Sequence, residues 1–277
     1  MNGNKMNLQI KKFNPKSIRD NSVMVFIAKR MSGKSTCVKD IMHHKKHLPV
    51  GVVMSGTEEG NCFYQSFIPD LFVYNEYRSD VIEKIVARQK MLVKKGEKDT
   101  PVFIILDDCM YDKKFLREKI MRQIFYNGRH WNIFFMLTMQ YCMDLTPDLR
   151  SNIDYIFVFR ENILQNREKI YKNFFGIFPT FEMFNQVMDS CTENYECLVL
   201  DNTIKSNKPE DVVFWYKARM FEPSMEFRVG HPKFWNAHKR LYDPKHDERE
   251  LENIQKQYRE HKTGKNKPTI TVKKTKG

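Results

Sequence analysis

The stretch from Val23 to Thr36 constrains this chain more than any other. Val23-Met-Val-Phe-Ile27 is an unbroken run of five apolar residues, the pattern of a strand buried on both faces. A short loop then delivers Ser32-Gly33-Lys34-Ser35-Thr36 to the start of a helix. Such a turn aims backbone N–H groups at one point, where the helix dipole also favours an anion. Lys34 adds a mobile positive charge suited to β- and γ-phosphates, and Ser35 offers a hydroxyl to Mg²⁺. The expected nucleotide-binding turn is therefore Arg30, Met31, Ser32, Gly33, Lys34, Ser35 and Thr36. The pattern G-x-x-x-x-G-K-[ST] would put glycine at position 28, where this chain has Ala28. A Cβ there costs about 1 kcal/mol if the turn needs a glycine-like backbone.

A second apolar run, Val102-Phe-Ile-Ile-Leu106, ends in Asp107-Asp108. Paired carboxylates at the carboxyl end of a central strand sit where open α/β sheets bind ligands. In that reading Asp107 holds Mg²⁺ and Asp108 orients or activates the attacking water; the plainer reading is an Asx turn closing a strand. Further strands are expected at 7–12, 50–54, 71–74, 132–137, 155–159, 196–200 and 212–216. Helices are expected at 35–47, 78–95, 113–127, 163–175 and 181–188, with 57–70 loop-like. Gly96 and Gly128 read as helix stops. Strand-then-helix alternation implies a three-layer α/β fold around a predominantly parallel sheet.

The chain of 277 residues carries 47 Lys and Arg against 34 Asp and Glu, a formal charge of +13. That balance suits a polyanionic partner, most simply nucleic acid. No apolar run is long enough to span a membrane, and the first residues lack an apolar signal core. The six cysteines show no C-x-x-C pairing and read as reduced thiols of an intracellular protein. His43, His44 and His47 cluster, but Lys45 and Lys46 among them favour a polar helix end over a zinc site. Composition shifts near Gly230. The expected division is an ATPase domain over 1–230, a charged, helical extension over 231–261, and a disordered tail over 262–277 whose six charged residues are all lysines.

Three segments together resemble the DNA-packaging ATPases of nucleocytoplasmic large DNA viruses, the poxvirus-type branch of the FtsK–HerA superfamily. They are Ala28 to Thr36, Ile104 to Cys109, and Asn127 to Gln140. The resemblance implies a RecA/FtsK-like P-loop NTPase fold with an additional strand between the two motif-bearing strands. It also implies ATP and Mg²⁺ as cofactors and double-stranded DNA as substrate. A homo-oligomeric ring of five or six subunits, and capsid or inner-membrane vertex partners in the virion or the host cytoplasm, come with it. Gln140 becomes the polar sensor at a strand end, where the alternative is an amide capping nearby backbone. Arg129, expected near the carboxyl-end rim of the sheet, becomes the arginine acting on a neighbouring subunit, with Arg150 competing. Relatives commonly place glutamate where this chain has Asp108. A small-molecule kinase and a nucleotide-dependent scaffold that does not hydrolyse remain the other readings.

Overall fold

The unbroken apolar runs become the middle of one sheet. The computed structural model describes residues 8–97, 100–109, 113–222 and 225–246, with single positions at 249, 252 and 256. The strands are β1 (Lys11–Lys12), β2 (Val23–Ile27), β3 (Val50–Ser55), β4 (Val73–Tyr74), β5 (Val102–Asp107), β6 (Ile133–Met139), β7 (Tyr155–Phe159), β8 (Glu196–Asp201) and β9 (Val213–Lys217). Their order across the sheet is β1-β9-β8-β7-β2-β6-β5-β3-β4. Only the β7–β8 and β8–β9 pairings are antiparallel. The expected α/β three-layer arrangement is what the chain adopts, with β6 as the additional strand between β2 and β5.

Alternate residues of each strand feed two cores, as a period of two requires. Val23, Val25 and Ile27 face one, and Met24 and Phe26 the other. The first core is covered by α3 (Ser79–Lys94), α4 (Lys119–Asn127), the short α5 (Pro147–Arg150), α6 (Leu164–Phe174) and α7 (Phe181–Cys191). The second is covered by α1 (Lys34–His44), the segment around Tyr64 and Phe67, and Phe227, Val229 and Phe234. Short helices α2 (Glu58–Asn61) and α8 (Pro209–Val212) and the terminal α9 (Pro232–Leu241) complete the set among the described residues. Gly51 of β3 lets Phe103 of β5 lie across it, since a Cβ there would meet the ring at 2.2 Å.

Several local expectations are corrected. The single helix expected over 113–127 is a 3-10 turn, Lys113–Arg117, followed by α4, with Glu118 extended between them. Leu116 and Met121 are both buried. On one continuous helix they would lie about 140° apart, so the break brings both onto the sheet. α4 does stop at Gly128, its cap, but that glycine is right-handed, and the chain turns on as a 3-10 turn through Trp131 before ending at Asn132, φ 52°. The segment 57–70, expected as loop, contains α2 and a 3-10 turn because the Glu58 carboxylate accepts from the Tyr64 and Gln65 N–H groups.

The chain divides into two compact units, one ending at His238 and one beginning at Lys239. Gly230 and His231 donate backbone hydrogen bonds to Lys46 O and Pro49 O, and Phe234 packs on Phe72 at 4.3 Å, which ties 230–234 into the first unit. The lysine tail 262–277, and all but three positions of 247–261, lie outside the described residues. No helix among the described residues is long and apolar enough to cross a membrane.

At the amino ends of the central strands, Asp154 acts as a staple. It is 3% exposed. Its Oδ2 accepts the Val23 N–H at 2.9 Å, and its Oδ1 accepts Arg129 Nη2 at 2.6 Å and Arg19 Nη2 at 3.4 Å. Asp154→Ala strands a buried N–H and should lower folding stability by about 2–3 kcal/mol. Arg129→Ala keeps Arg19 in place, and its half-exposed pair should cost about 1 kcal/mol. Denaturant unfolding of both variants checks the order.

Candidate nucleotide site

The parallel strands deliver their carboxyl ends to one edge, where Ile27 pairs with Met139 and Val158, and Ser55 with Asp107. The loop after β2 crosses this edge before α1 begins at Lys34. Its left-handed turns fall at Met31 (φ 60°) and Gly33 (φ 90°), not at position 28. Ala28 instead continues the β2–β6 ladder, donating its N–H to Met139 O at 2.9 Å, so the cost expected for its Cβ does not arise. The loop is tied by Ser32 Oγ donating to Lys29 O at 2.7 Å and by the Lys29–Glu161 ion pair. Burial raises the Glu161 carboxyl, but Lys29 and the Ile163 and Asn166 donors outweigh it and hold the group below its ordinary range. Met31 stands at the loop tip, 96% exposed, and Arg30 is exposed beside it.

Asp107 is the centre of the site, only 2% exposed. Its Oδ2 accepts Ser35 Oγ at 3.0 Å and Tyr64 Oη at 2.7 Å. Its Oδ1 accepts Thr138 Oγ1 at 2.6 Å and lies 3.3 Å from Lys34 Nζ. Burial first, and the Asp107 charge second, push the Tyr64 hydroxyl well above its ordinary range, so it stays protonated and donates. Asp108 takes a left-handed conformation, φ 53°, and donates its N–H to Thr138 Oγ1 at 3.0 Å. That turn presents its carboxylate to Gln140 Nε2 at 3.1 Å and Lys34 Nζ at 3.7 Å. Gln140 thus meets a carboxylate across the strand ends rather than capping backbone.

Lys34, Ser35, Asp107, Asp108 and Gln140 therefore converge. A hydroxyl and a carboxylate oxygen 3.0 Å apart, facing a lysine, form a hard oxygen donor pair of the kind Mg²⁺ takes. Arg129 does not join them. It precedes β6, so it sits at the amino edge of the sheet, about 20 Å away along a seven-residue strand, bound to Asp154. The expected rim position fails because a residue before a parallel strand lies at the end opposite the phosphate loop. Arg150 also lies elsewhere, bonded to Asn173 and over the Phe174 ring. Arg160, directly after β7, lies at the carboxyl edge as Arg30 does, 3.8 Å from Glu193.

Sequence reasoning missed Thr138 and Tyr64. Thr138 left a trace, as the single hydroxyl residue in the apolar run of β6. Tyr64 left none, in a segment without periodicity. Cysteine chemistry is absent from the site: Cys109 donates to Met54 O at 3.1 Å and burial pushes its thiol up to about 12. Thr138→Val keeps the shape but removes the donor to Asp107 and the acceptor for Asp108. It should cost about 1–3 kcal/mol, and Thr138→Ser much less, measured by denaturant unfolding.

No family model matches the chain. It is 40% identical over 255 residues to an uncharacterized protein, L437, of Acanthamoeba polyphaga mimivirus, covering 89% of this chain and 88% of that one. An uncharacterized protein of Frog virus 3 (isolate Goorha), 015R, is 42% identical over 214 residues, 76% of this chain and 66% of that one. Among solved structures, the genome packaging NTPase B204 of Sulfolobus turreted icosahedral virus 2, in complex with AMP, superposes with a TM-score of 0.54 at 20% identity. The match covers 73% of this chain and 100% of B204.

Proposed function

We propose that this chain, which belongs to a family shared with mimivirus L437 and Frog virus 3 015R, is an ATP-driven motor of the FtsK–HerA packaging type that moves double-stranded DNA into a capsid. The observation that carries the reading is the convergence of Lys34, Ser35, Asp107, Asp108 and Gln140 on one strand edge. In that reading ATP's phosphates lie in the turn from Arg30 to Thr36, along its N–H groups and the amino end of α1. Ser35 and Asp107 would hold Mg²⁺, which would supply charge neutralisation at the phosphates.

Lys34 is the mobile part. It lies on Asp107 and Asp108, and incoming phosphates would draw it away and release both carboxylates for their own tasks. Asp108 accepts a proton from or orients the attacking water, and Gln140 fixes the carboxylate that does so. Catalysis is then positioning and charge stabilisation rather than covalent chemistry. Gln140 also gives the hydrolysis state a route to the loop after β6. The proposed assembly is a homo-oligomeric ring in the virion or the virus factory, docked on capsid or membrane-vertex proteins. The +13 charge supplies a field for DNA.

ATP turnover with and without duplex DNA tests the motor. DNA should stimulate it; stimulation by a small acceptor alone would make the chain a kinase, and no turnover a scaffold. Lys34→Ala should weaken nucleotide binding and turnover severely. Asp107→Ala should abolish Mg²⁺-dependent turnover, and near-parental rates in both would displace the site. Deleting residues 262–277 should flatten the slope of log K for DNA against log salt by about one to several units, at roughly 0.9 per phosphate contact. An unchanged slope would assign the tail another task.

A further inference from the structure

The carboxyl end of α1 carries chemistry that the phosphate site does not use. Asp40, His43 and His44 follow spacings of three and four, so their side chains leave one side of the helix's last turns. Each offers one ligand atom, and the three atoms lie within 4.8 Å of one another. Asp40 Oδ1 is 3.8 Å from His44 Nε2. A tetrahedral ion with bonds of about 2.0–2.2 Å holds neighbouring ligand atoms about 3.5 Å apart, so small side-chain rotations close the triad.

The carboxylate is prepared on one side and open on the other. Asp40 is 2% exposed. Its Oδ2 accepts the Tyr216 hydroxyl at 2.5 Å and the Arg219 N–H at 2.8 Å. Its Oδ1 has no hydrogen-bond partner, and neither has the buried Nδ1 of His43. Outer hydrogen bonds that fix one carboxylate oxygen and leave the other toward two imidazoles are how a ligating carboxylate is held. The His43 ring is wedged 5.0 Å from Phe227 and 5.2 Å from Phe221, which limits its rotation. Burial lowers the pKa of both imidazoles, favouring the neutral form that ligates.

We propose that Asp40, His43 and His44 bind a zinc ion at the end of α1. Two imidazoles and one carboxylate suit Zn²⁺, with water completing the tetrahedron. Lys46 and Arg219 act on His43, and Lys16, Lys45 and Arg219 on His44, and all oppose a dication. The Asp40 charge and the negative end of the α1 dipole oppose that repulsion, and Lys45 is already paired with Asp20 at 2.7 Å. The ion would brace the far end of the helix whose first residues are Lys34 and Ser35. His47, paired with Asp20 at 2.6 Å, is not part of the site.

The full-length protein, stripped with chelator and titrated with Zn²⁺ alone by calorimetry, should take up one equivalent with a matching rise in melting temperature. Co²⁺ in its place should give the visible absorption of a tetrahedral site. His43→Gln and His44→Gln should each weaken binding tenfold or more and lose the melting shift, while His47→Gln should change neither. Circular dichroism confirms that each variant is folded, and the two single variants test the site independently if one fails to fold. Absence of stoichiometric binding would overturn the proposal. So would affinity unchanged in both the His43 and His44 variants, or lost in the His47 variant.

Discussion

A carboxylate held at 2% exposure in the seam between sheet and helices organises this molecule. Buried charge is tolerated only when its oxygens are matched by donors, and Asp107 is matched by four groups from three parts of the chain. Lys34 and Ser35 come from the phosphate loop and α1, Tyr64 from the turn after β3, and Thr138 from β6. The sheet order makes this possible. With β6 between β2 and β5, one threonine at its carboxyl end reaches Asp107 and also accepts the Asp108 N–H. The left-handed turn at Asp108 then aims the second carboxylate at Gln140 rather than back into the core.

The two edges of the sheet divide the work. At the carboxyl edge, charged groups are shared: Lys34 contacts two carboxylates, and the loop before it is tied by Lys29 on Glu161 and by Ser32 on Lys29 O. At the amino edge, Asp154 locks β2 to β7 with a backbone hydrogen bond and two arginines, and the Asn21 side chain donates to Arg129 O. One end is a scaffold and the other a place where charge can be exchanged. Arg129 belongs to the scaffold, and Arg30 and Arg160 lie at the carboxyl edge.

Helix α1 links the second hydrophobic core to the chemistry. Its first turn supplies Lys34 and Ser35, and its buried face, Cys37, Val38, Ile41 and Met42, packs on the sheet. Its last turns meet the segment after β9 through Asp40, which bonds Tyr216 and Arg219. Anything that tightens those last turns acts on a rod of eleven residues whose other end carries Lys34 and Ser35.

Much of this was legible in the sequence because the deciding signals are local. The buried strands β2 and β5 read as unbroken apolar runs, and β2 and β7 matched their expected bounds to the residue. The strand-to-helix turn fixed Lys34 and Ser35, and Asp107-Asp108 followed from a run ending in carboxylates. Periodicity states which residues are buried, but not what they meet. Tyr64 and Thr138 joined the site only through contacts 43 and 31 residues away along the chain, which no local pattern encodes. The break at Glu118 arose because two locally helical segments had to re-phase against one sheet. Arg129 was misplaced because it precedes β6, and a residue before a parallel strand lies at the amino edge, opposite the strand ends that carry the site. Local chemistry determined the elements and the phosphate turn; strand order and long-range packing decided which side chains meet, because only they bring distant donors to a buried charge.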